Sequence, residues 1–84
     1  MREILRDNAA GRRLILERLY AERMAASQQE VGGFIPRRAL ADLTAHVDFL
    51  LATLAEQGYL CRDGDRWRIT GAGCAHLESE TFKE

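Results

Sequence analysis

Residues 44–77 read TAHVDFLLATLAEQGYLCRDGDRWRITGAGCAHL, and this stretch decides the fold. Its first part carries valine and leucine at helical spacing as far as Leu54 and then reaches Gly58, where a helix needs a left-handed residue to end. Asp63-Gly64 is a strong signal for a hairpin turn, and it separates two short runs of strand character. The stretch therefore predicts a helix, two antiparallel strands and a last helix, in that order.

The second predicted strand alternates polar and apolar residues, which is typical of a strand with one buried face. We expect Trp67 and Ile69 to point into the body of the domain and Arg66 and Arg68 to point outwards. Thr70 follows directly and is a predicted N-cap, because its hydroxyl can accept a hydrogen bond from the first turn of a helix.

Composition predicts one globular domain over residues 1–84, with 46% hydrophobic and 30% charged residues and a net charge of −1. The sequence lacks an apolar run long enough for a membrane span, an apolar N-terminal stretch typical of a signal peptide, and a cysteine framework. We therefore expect a cytoplasmic protein without membrane contact. No catalytic constellation, metal-ligand spacing or cofactor motif is present, so we expect no metal, no cofactor and no enzymatic activity.

The first half of the chain predicts one long helix that begins after Asn8 as its cap and ends near residue 29. We expect a domain core over about residues 9–78, with residues 1–8 as a separate N-terminal arm and residues 79–84 as a frayed tail. The expected core stripe of this helix consists of Ile15, Leu16, Leu19, Tyr20 and Met24.

A second, smaller apolar stripe lies beside the first one on the same predicted helix. It consists of Leu14 and the alanines at positions 10, 21 and 25. Two interpretations stay open: the helix is buried on nearly all sides, or Leu14 and Ala21 form the seam of a homodimer.

Between the long helix and the deciding stretch, Phe34-Ile35 is too short for more than a strand of one bridge. Pro36 suits the first position of a helix, and we expect a short helix that ends at Leu43. Thr44 is then a predicted cap for the next helix.

The run VDFLLATLAEQGYL at residues 47–60, followed by WRIT at 67–70 and by Gly73, resembles bacterial and phage winged-helix transcription regulators. In that family, spaced leucines, a glycine and a hydrophobic pair end the recognition helix, and a wing leads through a hydrophobic-threonine-x-x-glycine motif into the last helix. The resemblance covers about residues 12–78. It implies an α+β, mainly helical, winged helix-turn-helix fold with a two-stranded wing. It also implies that the Phe34-Ile35 strand pairs with the base of the wing hairpin.

One feature departs from that family. The interval from Leu40 to Val47 is shorter than the usual spacing between these core positions, and its turn contains no glycine. We therefore expect either a short second helix or an unusual angle between the second and third helices.

The resemblance implies binding of double-stranded DNA. The candidate contacts are basic or polar residues of the second helix, the third helix and the wing, namely Arg37, Arg38, His46, Thr53, Arg62, Arg66 and Arg68. Two alternatives stay open for the arginines: they are solvated charges paired with Asp42, Asp63 or Asp65, or they contact an acidic partner protein.

The outward face of the third helix favours a second function. A net charge of −1 is unusual for a DNA-binding domain, because phosphate neutralisation supplies much of the affinity. This face carries Asp48 and Glu56, which phosphates would repel, and a large apolar ring at Phe49. The alternative function is therefore a protein–protein interaction module that uses Phe49 and Ala52.

Overall fold

The computed structural model describes residues 1–29 and 32–82 of the chain. The fold is α+β and mainly helical, with three antiparallel strands in the order β1-β3-β2. The elements are α1 (Arg2–Ala25), β1 (Ile35–Pro36), α2 (Arg37–Leu40), α3 (Val47–Glu56), β2 (Leu60–Asp63), β3 (Arg66–Ile69) and α4 (Gly71–Thr81). Within the described part of the chain, none of the helices has the length and apolarity needed to cross a membrane.

The predicted hairpin is confirmed, with its turn one residue further along than the Asp63-Gly64 signal. Asp63 is the last residue of β2 and pairs with Arg66, so Gly64 and Asp65 are the two central turn residues. Gly64 has a φ of +65°, which a two-residue hairpin turn requires at this place and which glycine adopts without strain. The short strand before α2 consists of Ile35 and Pro36 and pairs with Trp67 and Arg66 of β3, next to the hairpin turn. The expected single bridge from Phe34-Ile35 to the base of the hairpin is therefore wrong, because the chain enters α2 beside the turn, where the backbone N–H of Arg37 donates to the carbonyl of Asp65.

The core lies between α1, α3 and the inner face of the sheet, and Trp67 and Ile69 are buried in it as predicted. The hydroxyl of Thr70 accepts a hydrogen bond from the backbone N–H of Gly73 at 3.0 Å, so the predicted cap of α4 is confirmed. The other buried apolar side chains are Ile15, Leu16, Leu19, Ile35, Leu40, Val47, Leu50, Leu51, Leu54, Leu60 and Leu77.

The bounds of the first and last helices differ from the prediction. α1 begins at Arg2 with Met1 as its cap, so Asn8 lies inside the helix and residues 1–8 are its first turns instead of a separate arm. Met24 is 62% exposed because it lies about 140° around the helix from the buried Leu19. The sequence predicts a frayed tail over residues 79–84, but α4 continues to Thr81, so the prediction is wrong for residues 79–81. Residues 83 and 84 of the predicted tail lie outside the described residues.

The segment before α3 confirms a short second helix but not the predicted caps. α2 has four residues and ends at Leu40, and Pro36 belongs to β1 instead of the first helical turn. Because a cap must immediately precede its helix, the cap position of α3 is His46, in a left-handed conformation with φ +58°. Thr44 does not cap α3; its side chain lies beside Gly11 of α1, where an added Cβ would be 2.5 Å from the Thr44 hydroxyl oxygen.

Candidate functional site

Arg37 joins three elements on one side of the molecule. Its backbone N–H donates to the carbonyl of Asp65 in the hairpin turn at 2.8 Å. Its guanidinium donates from Nε and Nη2 to the two carboxylate oxygens of Asp48 on α3, at 2.6 and 2.8 Å. These hydrogen bonds lower the pKa of the Asp48 carboxyl below its usual value. The start of α2, the hairpin turn and the exposed face of α3 are therefore held together.

A cleft of about 300 Å³ separates α3 from the hairpin at this point. Arg62 borders the cleft opposite Arg37; its guanidinium lies 5.4 Å from the ring centroid of Trp67, and its Nε donates to the carbonyl of Gly64 at 2.5 Å. The full lining is Arg37, Asp48, Ala52, Arg62, Asp65 and Trp67. Two of the predicted DNA contacts thus converge on one cleft, although they are more than 20 positions apart in sequence.

Two further predicted contacts are exposed but are not among the residues that line this cleft. Arg38 follows Arg37 in α2, and His46 precedes the first residue of α3. Neither side chain forms an ion pair with a residue that the structure describes. The cleft itself therefore brings together two predicted residues, Arg37 and Arg62.

Arg66 and Arg68 lie on the opposite face of the hairpin from Arg62. This follows from the alternation of side chains along β3, because Arg62 pairs with the inward-facing Trp67. The guanidiniums of Arg66 and Arg68 lie 5.2 and 4.9 Å from the ring centroid of Phe34. Arg66 also forms an ion pair with Asp63 at 3.1 Å. For this arginine the alternative of a solvated charge paired with a nearby aspartate is therefore the one observed. The predicted arginines therefore do not form one continuous surface.

Thr53 is not a free polar group on the exposed face of α3. Its hydroxyl accepts a hydrogen bond from Nη1 of Arg12 at 2.6 Å and donates to the carbonyl of Leu50 at 3.1 Å. The Arg12 guanidinium also lies 5.9 Å from the ring centroid of Phe49. The sequence carries no signal for the Arg12–Thr53 contact, because the two residues are 41 positions apart and lie on different helices.

The predicted interface residues are exposed. Phe49 is 55% exposed, and Ala52 lies on the same face of α3. On α1, Leu14 is 44% exposed and Ala21 is also exposed, so the expectation that the first helix is buried on nearly all sides is wrong. Exposure makes these side chains available for an interface, and their roles, including that of Leu14 and Ala21 in a homodimer seam, stay predictions.

The titratable side chains outside the cleft are dispersed. In residues 1–29 and 32–82, no three histidines, cysteines or carboxylates are grouped so that they could hold a metal ion. His76 stacks on Tyr59, with 4.3 Å between the ring centroids. Cys61 and Cys74 are free and half-buried, and burial raises the pKa of the Cys74 thiol. The chemistry that the described site offers is recognition by guanidinium donors and by exposed apolar surface.

Searches against protein-family models, curated proteins and solved structures found no match, so the geometry described above is the basis for assigning a function.

Proposed function

We propose that this chain is a winged helix-turn-helix domain that binds double-stranded DNA and acts as a small transcription regulator. In this proposal α3 is the recognition helix and the β2–β3 hairpin is the wing. The element order and the sheet order β1-β3-β2 support it, since β1 lies between the first two helices and extends the hairpin on its β3 side. The position of Arg37, which connects α2, the hairpin turn and α3, is the observation that carries the proposal.

The proposed contacts to DNA are mainly contacts to phosphates. Arg38 and Arg62 present guanidiniums that no described carboxylate neutralises. Asp48 alone would repel a phosphate, but its bidentate contact with Arg37 compensates its charge. The exposed face of α3 offers few of the amide or guanidinium donors that read bases. Binding with low sequence discrimination follows from this composition.

The salt dependence of DNA binding tests this mechanism. Each neutralised phosphate contributes a slope of about −0.9 to the dependence of log affinity on log salt. Because Asp48 already neutralises Arg37, the unpaired Arg38 and Arg62 predict a slope of about −1.8 per domain. Affinity for a labelled random-sequence duplex should then fall about 12-fold between about 50 and about 200 mM salt. Fluorescence anisotropy at several salt concentrations gives this slope directly.

Matched arginine variants distinguish DNA binding at the proposed surface from a general attraction of DNA to any exposed arginine. Arg38→Gln and Arg62→Gln should each make the slope less steep by about 1. Arg66→Gln removes the same charge from the other face of the hairpin, where Asp63 already pairs with it, and should leave the slope unchanged. The absence of binding at the lower salt concentration would refute DNA binding. A change in slope for Arg66→Gln but not for Arg62→Gln would refute the assigned surface.

The exposed ring of Phe49 favours a second candidate, in which α3 binds a protein. A partner protein that covered this ring and the neighbouring Ala52 would remove a large apolar surface from water, and buried aromatic side chains of this kind anchor protein interfaces. In that case Phe49→Ala should weaken concentration-dependent association in sedimentation velocity and leave the salt slope for DNA unchanged. An identical sedimentation profile for the variant and the wild type would refute self-association through Phe49.

We also propose a homodimer in which the exposed stripe of α1 meets a second copy. Leu14 is the largest side chain in the central part of that stripe, with Ala21 two turns further along the same face. Leu14→Gln should lower the dimer fraction in sedimentation equilibrium. Phe82→Gln, which removes an exposed apolar group at the end of α4, is the matched control. A wild-type protein that stays monomeric at high concentration contradicts this proposal.

A further inference from the structure

We infer that a pocket between the C-terminal end of α1, α4 and β3 binds a small oxyanion, a phosphate or a carboxylate group, through Arg68 and Arg23. The pocket has a volume of about 420 Å³. Its described polar lining is Tyr20, Arg23, Ser27, Gln29, Arg68 and Glu78. Because this lining includes no residue of α2 or α3, the inference does not depend on DNA binding.

Arg68 supplies the first cation of the pocket, and one of its donors is unpartnered. Its Nε atom is buried and has no hydrogen-bond partner among the described residues, and no described carboxylate forms an ion pair with its guanidinium. A guanidinium cannot be deprotonated in a protein, so the unpartnered N–H donor is always present. The ring of Phe34, 4.9 Å from the guanidinium, supports one face of the group but satisfies none of its N–H donors.

Arg23 supplies a second cation that is already held in place. Its Nη1 donates to the carbonyl of Ile69 at 2.7 Å, which leaves other donors of the guanidinium available. Gly33 approaches the backbone of Arg23 so closely that an added Cβ would lie 3.0 Å from its Cα. The packing therefore limits the movement of Arg23.

One acid, Glu78, belongs to the described lining, and it does not neutralise these arginines. Glu78 is exposed and accepts a hydrogen bond from the Tyr20 hydroxyl at 2.6 Å, and this contact raises the pKa of Tyr20. Two guanidiniums and one carboxylate leave the described lining of the pocket with a net positive charge. Planar guanidiniums match the oxygen geometry of carboxylates and phosphates, which identifies the chemical class of the ligand.

NMR of the uniformly ¹⁵N-labelled full chain tests the site, because Arg68 lines the pocket and its Nε–H signal is sensitive to a charge bound at the guanidinium. Inorganic phosphate and acetate are titrated separately at constant ionic strength, with chloride as the balancing ion. We expect a saturable shift of the Arg68 Nε–H signal and of the Gln29 and Gly32 amides. Saturation by phosphate alone, by acetate alone or by both supports the site and tells which oxyanion it takes.

Three variants complete the test. Arg68→Gln should lower the affinity for the anion at least about tenfold, since it removes a charged hydrogen-bond donor. Arg62→Gln, an equal change on the other face of the hairpin, should leave binding unchanged, and Glu78→Gln should strengthen it.

Two results would overturn the inference. One is a shift that does not saturate. The other is an equal shift at Arg62 and Arg68, because the contact would then be that of an adventitious ion only.

Discussion

Replacing Gly73 by alanine should destabilise the protein, although the same change elsewhere in a helix stabilises it. Gly73 is buried in the first turn of α4, and an added Cβ would overlap the carbonyl oxygen of Tyr59 and lie 2.7 Å from Cγ1 of Ile69. The Tyr59 carbonyl cannot move away freely, because it accepts the backbone N–H of Thr70 at 2.9 Å. The clash is therefore with backbone that is held on its other side.

The magnitude follows from two opposing terms. Alanine gains about 1 kcal/mol over glycine in helix propensity. Overpacking against a rigid neighbour costs about 1–3 kcal/mol, and the overlap with a backbone atom places Gly73→Ala near the upper value. A net loss of about 2 kcal/mol corresponds to a fall in Tm of about 8–16 °C for a domain of this size. Thermal unfolding followed by circular dichroism, together with urea unfolding, measures both quantities.

Gly71→Ala is the matched control in the same helical turn. Nothing lies within 4 Å of a Cβ at Gly71, so this variant should gain up to about 1 kcal/mol and raise Tm by a few degrees. Opposite signs for the two substitutions are the expected result. An equal rise in Tm for both variants would refute the close approach of α4 to the end of α3 and the start of β2.

Three other predictions concern the cap of α4, the two sides of α3 and the exposed ion pair. Thr70→Ala should cost about 1 kcal/mol, because it removes a cap, whereas Thr70→Ser should retain most of the stability in urea unfolding. Leu50→Ala should cost about 2–5 kcal/mol because Leu50 is fully buried, whereas Phe49→Ala should change the free energy of unfolding by about 0.5 kcal/mol or less; equal losses would contradict the assigned orientation of α3. Because Arg37 lowers the pKa of Asp48 in the folded state, its stabilising effect should be present above the unfolded pKa and disappear as the pH falls through the folded value. The difference in Tm between wild type and Asp48→Asn should therefore shrink on acidification, and a difference that stays constant with pH would contradict the contact.

Local patterns were sufficient to predict most of the elements. Gly58 stands just after α3 with φ +84°, and Thr70 caps α4, because both effects depend only on residues a few positions apart. The errors lie at helix ends, where competing local signals are weak. Asn8 is a good cap residue, but the charged and apolar residues before it also favour a helix, so α1 continues through it.

The candidate site was predicted only in part, because its decisive contacts join distant residues. The sequence indicates that Arg37 and Arg62 are basic and exposed, but it cannot show that they border one cleft. Nor can it show that Arg66 and Arg68 face the other way beside Phe34.

The sequence by itself determined the order of helices and strands, the hairpin turn and the inward face of the second hairpin strand. These features depend on the 3.6- and 2-residue periodicities and on glycine at positive φ, which are properties of short segments. Only the tertiary structure decided which charges meet. The pairing of Arg37 with Asp48, the engagement of Thr53 by Arg12 and the unpartnered Nε of Arg68 arise from contacts between elements, and their energies depend on burial and distance that no local pattern contains.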